Sequence, residues 1–157
     1  MAIELVRIDD RLIHGQVMTM WVKNYNIEQI IIVDDNVAKD ETRKQILKFS
    51  IPENIKLAIF GVEKFINITK KTSINRRTLL LLADPLVALK LNENGVKFSE
   101  LNVGNISNND VREMVTKSIS LTEDEKEYFR KLEKNKVNVY IQMVPNDKKE
   151  NILDIIK

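Results

Sequence analysis

Short apolar runs alternate with longer amphipathic segments through the first hundred residues of this chain. The runs lie at residues 3–8, 30–33, 57–60, 78–83 and 101–104. The run at 30–33 is Ile-Ile-Ile-Val, without a polar member, which predicts a strand covered on both faces. Strands that alternate with helices over connections of this length form parallel sheets. We therefore predict an α/β fold, an open, mostly parallel sheet with helices on both faces.

Helical spacing fills the intervals between these runs, over residues 15–25, 37–49, 62–69 and 85–91. Asp84 followed by Pro85 is typical of an N-cap with proline in the first helical position. Thr122 with Glu125 is a capping-box pattern and predicts a helix that runs to about residue 135. Further strands are predicted at 118–121 and 137–144, and a short helix at 151–157.

Length and composition narrow the class of protein. With 157 residues, 43% of them hydrophobic, the chain is predicted to form a single domain over residues 1–157. Its net charge is +2 with the two signs interspersed, which does not favour nucleic acid as a partner. No apolar stretch reaches the ~20 residues of a spanning helix. The absence of cysteine fits a reducing compartment, so we expect a cytoplasmic protein that does not itself span a membrane.

The chain has one histidine, His14, directly after the first predicted strand. In doubly wound sheets ligands bind at the carboxyl ends of the strands, which is where this residue is expected to lie. One histidine without cysteine offers few ligands for a transition metal, and we predict no metal and no cofactor. A neutral imidazole is, however, a good nucleophile and can hold a phosphoryl group on a ring nitrogen.

The residues around His14 suit such a group. Asp9 or Asp10 is placed to accept a hydrogen bond from the other ring nitrogen and fix its tautomer. Arg11 is placed to bind phosphoryl oxygens through its planar guanidinium. The segment after the histidine is predicted to form a phosphate-binding loop whose backbone N–H groups open a helix; its residues are Gly15, Gln16 and Val17.

Three more carboxylates follow predicted strands and lie at the same edge. Asp34 and Asp35 follow the second strand, and Asp84 follows the fourth. We expect them chiefly to cap helices and include them as a possible rim of the site.

Two other classes of function are disfavoured by what the sequence lacks. Phosphatases and mutases that use a phosphohistidine normally need a second histidine, and nucleotide-binding folds need a glycine-rich phosphate loop. A non-catalytic α/β module that binds a sugar or a regulatory partner remains an alternative.

The segment at residues 7–17, Arg-Ile-Asp-Asp-Arg-Leu-Ile-His-Gly-Gln-Val, with Trp21 beyond it, resembles the active-site loop of one transporter family. That family is the IIB subunits of the mannose/fructose/sorbose class of the bacterial sugar phosphotransferase system. The similarity continues through residues 32–35, 84–86, 101–104, 121–123 and 144–145, and so covers nearly the whole chain.

The resemblance implies an activity and partners. His14 would accept a phosphoryl group from the phosphohistidine of a IIA subunit and pass it to a sugar held by membrane IIC and IID subunits. Arg11 matches the arginine that stabilises the phosphoryl group, and Asp9 and Asp10 match the acidic positions of the loop. An exposed arginine contributes little to stability, so replacing Arg11 is expected to slow transfer more than it disturbs folding.

Overall fold

The computed structural model describes residues 2–156 and contains one sheet of seven strands. The strand order across this sheet is β3-β2-β4-β1-β5-β8-β9, and every neighbouring pair is parallel except β8 and β9. A separate antiparallel pair is formed by β6 and β7. The strands are β1 Ile3–Asp9, β2 Gln29–Val33, β3 Lys56–Phe60, β4 Thr78–Leu82, β5 Glu100–Asn105, β6 Glu113–Met114, β7 Ser120–Leu121, β8 Asn138–Ile141 and β9 Glu150–Asn151.

Seven helices cover the two faces of the main sheet in the described part of the chain. They are α1 Gly15–Asn24, α2 Asp35–Ala38, α3 Glu41–Phe49, α4 Val62–Lys71, α5 Pro85–Glu93, α6 Glu123–Lys134 and α7 Ile152–Ile155. One hydrophobic cluster joins the sheet to α1, α2 and α3, and a second, larger cluster joins it to α4, α5, α6 and α7. The prediction of an open, mostly parallel sheet with helices on both faces is therefore confirmed.

The order of the strands places a crevice beside β1. From β1 the chain moves to β2 on one side of the sheet, whereas from the neighbouring β5 it moves to β8 on the other side. Where connections leave adjacent parallel strands in opposite directions, a crevice opens at their carboxyl ends. His14 follows β1 at this edge.

Local capping residues explain most helix boundaries, and one of them corrects a prediction. Residues 37–49 were expected to form one helix, but they belong to α2 and α3, because the side chain of Asp40 accepts from the backbone N–H of Arg43 and begins a new helix. The last predicted strand is also shorter than expected, ending at Ile141. No helix between residues 2 and 156 is long and apolar enough to cross a membrane.

Candidate active site at the carboxyl end of β1

His14 is exposed and occupies the N-cap position of α1. The turn before it is fixed by Leu12, whose side chain is 1% exposed and whose backbone is left-handed, with φ 60°. A bulky residue adopts this conformation only where its surroundings hold it there, and strain of this kind clusters at functional sites. The buried leucine thus anchors a loop whose histidine projects into solvent.

Helix α1 begins without a side-chain cap. Among the described residues, five helices have a capping side chain at the N-cap, and α4 receives one from outside, because Asp35 Oδ1 accepts from the backbone N–H of Val62 at 2.9 Å. The His14 side chain makes no such bond, and no described side chain accepts from the first turn of α1. Because first-turn N–H groups have no partner within a helix, those of residues 15–17 are available to an anion.

Asp9 is a buried carboxylate that holds Arg11 in one orientation. Its side chain is 2% exposed, and its two oxygens accept from Arg11 Nε at 3.0 Å and from Arg11 Nη2 at 2.9 Å. The backbone N–H of Arg11 also donates to Asp9 Oδ1, at 3.1 Å. Hydrogen bonding to Asp9 raises the pKa of Arg11 above its usual value, so the guanidinium is charged at neutral pH. Its third nitrogen, Nη1, has no hydrogen-bond partner among the described residues.

The structure corrects one premise of the prediction for Arg11, namely that its side chain is exposed; that replacement slows transfer more than it disturbs folding stays a prediction. Its side chain is 31% exposed and partly buried, and it makes a two-pronged ion pair with a carboxylate that is almost fully buried. Such fork-to-carboxylate pairs are stronger than single surface pairs. We therefore expect replacement of Arg11 to lower stability as well as to alter the site.

A second arginine, Arg7, lies on the other side of Asp9 and is only 1% exposed. Its Nη1 donates to the side chain of Asn102 and, at 2.9 Å, to the carbonyl of Gln142. Its Nη2 donates to the carbonyl of Met143 at 3.0 Å and lies 3.5 Å from Asp9 Oδ2. Burial lowers the pKa of Arg7 to about 10, which leaves it charged at neutral pH.

Trp21 covers the Arg7 guanidinium, and Gly104 leaves space for it. It lies 4.9 Å from the centre of the Trp21 ring, and the indole Nε1 donates to the same Met143 carbonyl at 3.2 Å. A Cβ built on Gly104 would overlap the guanidinium. Only glycine therefore fits at this point of β5. Through these contacts Arg7, which lies on β1, links this strand to β5, to α1 and to the segment after β8.

Asp10 is bound to a different part of the chain. Its oxygens accept from the backbone N–H of Ser107 at 2.6 Å and from Asn105 Nδ2 at 2.8 Å, and Arg112 Nη1 lies at 4.0 Å. Arg112 in turn forms a two-pronged pair with Glu125 at 2.8 and 2.9 Å. Asp10 thus holds residues 106–121, which we call the arm, against the site.

Neither acidic residue of the loop is bonded to the histidine. The carboxylates of Asp9 and Asp10 are both engaged as described, and no hydrogen bond joins either of them to His14 within residues 2–156. Their geometric roles are to hold Arg11 and the arm.

A family model described as the PTS system sorbose subfamily IIB component matches residues 3–157. The chain belongs to this family. It is 36% identical to the sorbose-specific EIIB component of Klebsiella pneumoniae over 99% of this chain and 96% of the relative. The crystal structure of the IIBSor domain of the sorbose permease from that organism matches at a TM-score of 0.94, covering 99% of this chain and 96% of that one.

A second relative is longer. The mannose-specific EIIAB component of Escherichia coli K12 is 36% identical over 99% of this chain, which spans about half (49%) of that protein. The family relationship therefore concerns the IIB portion of such proteins.

The remaining carboxylates of this IIB component cap helices at the same edge. Asp34 caps α2 through the backbone N–H of Val37 at 2.9 Å, and Asp84 caps α5 through that of Val87 at 3.0 Å. Burial raises the pKa of Asp84 above its usual value of 3.8. The prediction that Asp34 and Asp84 chiefly cap helices is confirmed. Asp35 caps α4 from outside that helix.

The residues predicted to form a phosphate-binding loop lie at the first turn of α1, where the sequence analysis expects them. Gly15 has φ 45°, and a Cβ built on it would meet nothing within 4 Å. Val17 is partly buried against the cluster around Trp21, while the side chain of Gln16 lies outside the described part of the structure.

Sequence reasoning missed Arg7, Arg112 and the polar groups that bind them. The bonds of Arg7 reach residues 95 and 135 positions away, which no local pattern predicts. One signal was present: Arg7 stands between Val6 and Ile8 in a run expected to be buried. A charged residue at such a position needs buried partners.

Proposed function

We propose that this IIB component carries a phosphoryl group on His14. It takes the group from the phosphohistidine of a IIA partner and passes it to a sugar held by membrane IIC and IID subunits. The observation that supports this most directly is the exposed imidazole of His14 at the uncapped N-terminus of α1, three residues after Arg11, whose guanidinium is held by Asp9.

In the first step a neutral nitrogen of His14 attacks the phosphorus held by the donor imidazole. A new N–P bond forms on His14 as the donor N–P bond breaks, and that electron pair returns to the donor ring. In the second step a sugar hydroxyl oxygen attacks the phosphorus on His14. The His14 N–P bond breaks, the ring recovers its electron pair, and the hydroxyl proton is released as the phosphate ester forms.

The residues around His14 support both steps by stabilising the equatorial phosphoryl oxygens. The free Nη1 of Arg11 and the N–H groups that open α1 are the donors at hand. Two arginines on the single carboxylate of Asp9 give this group of three charges a net positive sign, which favours an anion. Because Asp9 already holds Arg11, little conformational entropy is lost when the phosphoryl group binds.

The partners follow from this role. A carrier must present the same histidine first to a donor and then to an acceptor, and an exposed residue at a sheet edge suits brief contacts of modest area. We propose that the donor is a IIA subunit and that the acceptor complex is membrane-bound, so that this protein associates with the membrane through those subunits.

Phosphorylation by purified components tests the proposal. The chain is incubated with phosphoenolpyruvate, the general phosphotransferase proteins and a IIA subunit, and its intact mass is measured. We expect one added phosphoryl group that is labile to acid and stable to base. Because the chain has one histidine, a phosphohistidine can be located only at His14, and His14→Asn must abolish it.

Two outcomes contradict the proposal. An unchanged mass would favour the non-catalytic binding module instead. A group that is labile to both acid and base and survives in His14→Asn would indicate an acyl phosphate on a carboxylate.

A further inference from the structure

Helix α3 exposes two large apolar side chains, Ile46 and Phe49, to solvent. Leu47 is the one buried residue among its nine. Ile46 is 60% exposed and Phe49 is 87% exposed, the highest value among the large hydrophobic side chains described. Single exposed apolar residues are normal on a monomer, whereas a cluster around a cleft indicates a binding surface.

A groove lies next to these residues, between α3 and the edge strand β3. Its larger part has a volume of about 720 Å³ and an apolar wall that includes Ile51, Ile55 and Leu57. A smaller part of about 250 Å³ continues it along the helix, and the two share Gln45, Lys48 and Leu57. The side chain of Phe49 lies at the rim of the larger part.

We propose that a second copy of this chain binds here in a two-fold symmetric dimer. In a two-fold interface each copy supplies the same patch, so a protrusion and a recess must occur side by side on one surface. Phe49 is the protrusion and the α3–β3 groove is the recess. Rotation by half a turn brings the Phe49 ring of each copy to the groove of the other.

The charges around the groove fit a second copy. Lys48, Glu53 and Lys56 line the larger part, and none of them has an ion-pair partner among residues 2–156. A patch that carries both signs can oppose lysine to glutamate when it meets its own copy. A uniformly anionic surface, such as a membrane, would leave Glu53 opposed by like charge.

The position of the groove makes the proposed dimer compatible with phosphoryl transfer. The dimer proposal does not depend on that transfer. Strand β3 is the free edge of the main sheet, three strands away from β1, which leads to His14. At β3 four of five residues are only partly buried, in contrast to the fully buried β4. An interface at this edge covers the partly exposed strand β3 and leaves the loop after β1, which carries His14, outside the groove.

Sedimentation velocity of the full chain tests the proposal over low to high micromolar concentration. The mass is expected to rise from 18.2 kDa toward twice that value. Phe49→Glu should weaken association by about tenfold or more, since a central aromatic residue dominates small interfaces. The matched control is Met114→Glu, because Met114 is 68% exposed on β6 and lies outside the groove. Circular dichroism confirms that both variants are folded.

Cross-linking provides an independent readout. The chain has no cysteine, so a single introduced thiol forms a disulfide only with another copy. Gln45→Cys, in the groove, should cross-link much faster than Lys117→Cys, which is exposed on the arm.

A monomer at all concentrations, or equal cross-linking at the two positions, would overturn the proposal. If the monomer instead binds vesicles of anionic phospholipid, and Phe49→Glu abolishes that binding, the patch is a lipid-binding surface and the dimer is wrong. Neither result bears on phosphorylation of His14, which is measured separately.

Discussion

Gly104 should be the residue of β5 that tolerates substitution least, although alanine is only one carbon larger. The added Cβ of Gly104→Ala would overlap the guanidinium of Arg7. That guanidinium has no room to retreat, since it is 1% exposed and is bonded to the carbonyls of Gln142 at 2.9 Å and Met143 at 3.0 Å. The substitution therefore forces a buried cation away from some of its partners.

The expected loss of stability combines two effects. Overfilling a packed interior costs about 1–3 kcal/mol. Losing one hydrogen bond to a buried charge adds about 1.5–3 kcal/mol. The free energy of unfolding should fall by about 2.5–6 kcal/mol, a large part of the roughly 5–15 kcal/mol of an ordinary domain. At about 2–4 °C per kcal/mol for a chain of this size, Tm should fall by roughly 5–24 °C.

Urea unfolding followed by the fluorescence of the single tryptophan, Trp21, measures the effect and its cause. The variants are Gly104→Ala, Arg7→Lys and the double variant. Lysine carries the charge on one narrow nitrogen, so the Cβ at position 104 should fit beside it. We expect Gly104→Ala to cost at least ~1 kcal/mol less in the Arg7→Lys background.

Gly95→Ala is the control for glycine substitution in general. Gly95 has φ 92°, and nothing lies within 4 Å of its built Cβ, so its cost arises from backbone strain alone and should add to that of Arg7→Lys. If Gly104→Ala also combines additively with Arg7→Lys, the clash with the guanidinium is refuted.

Three further predictions concern the loop and its neighbours. Arg11→Lys keeps the charge but loses the two-pronged contact with Asp9, and should slow phosphoryl uptake by about 10²–10³-fold; an unchanged initial rate with phosphorylated IIA would contradict this. Asp10→Asn weakens the hold on the arm, so amide hydrogen exchange should accelerate in residues 107–112 and stay unchanged in α5. Burial raises the pKa of Asp84 in the folded state above 3.8, so the folded state binds this proton more tightly than the unfolded state. The stability associated with this proton is present below pH 3.8 and is lost as the pH rises through the folded pKa. Asp84→Asn removes that loss and keeps a capping side chain, so its stability relative to the parent should rise from pH 3 to 7, and a constant difference would count against the assignment.

The fold could be predicted largely because its signals are local. Uninterrupted apolar runs mark the buried strands, and the side chains of Asp84 and Thr122 begin helices at the expected residues. The wrong helix over 37–49 shows the limit of periodicity. Its apolar spacing passes through Asp40, but the energetic preference of aspartate for an N-cap position decides where α3 begins.

Only the central residues of the site, His14 and Arg11, could be predicted from the sequence. His14 and Arg11 lie in one loop, so their proximity follows from the sequence itself. The bonds that fix Arg7 and the loop come from Asn102, Ser107 and Met143, which different strands and their connections bring to the same edge. Such contacts depend on the order of the strands in the sheet, and no single segment of the sequence determines that order.

In the loop after β1, the residues around His14 are held by contacts, whereas the His14 side chain is not. Leu12 is buried, Asp9 is held between two arginines, and Asp10 is bound to the arm, so the loop is fixed at each of these points. The side chain of His14, in contrast to those of Asp9 and Asp10, makes no hydrogen bond within the described residues. A carboxylate bound to the imidazole would stabilise its protonated form and compete with each docking protein for the ring. With Asp9 and Asp10 engaged elsewhere, neither carboxylate competes with a docking protein for the His14 ring. In the proposed function, the positive charge of Arg7 and Arg11 stabilises the transferred group.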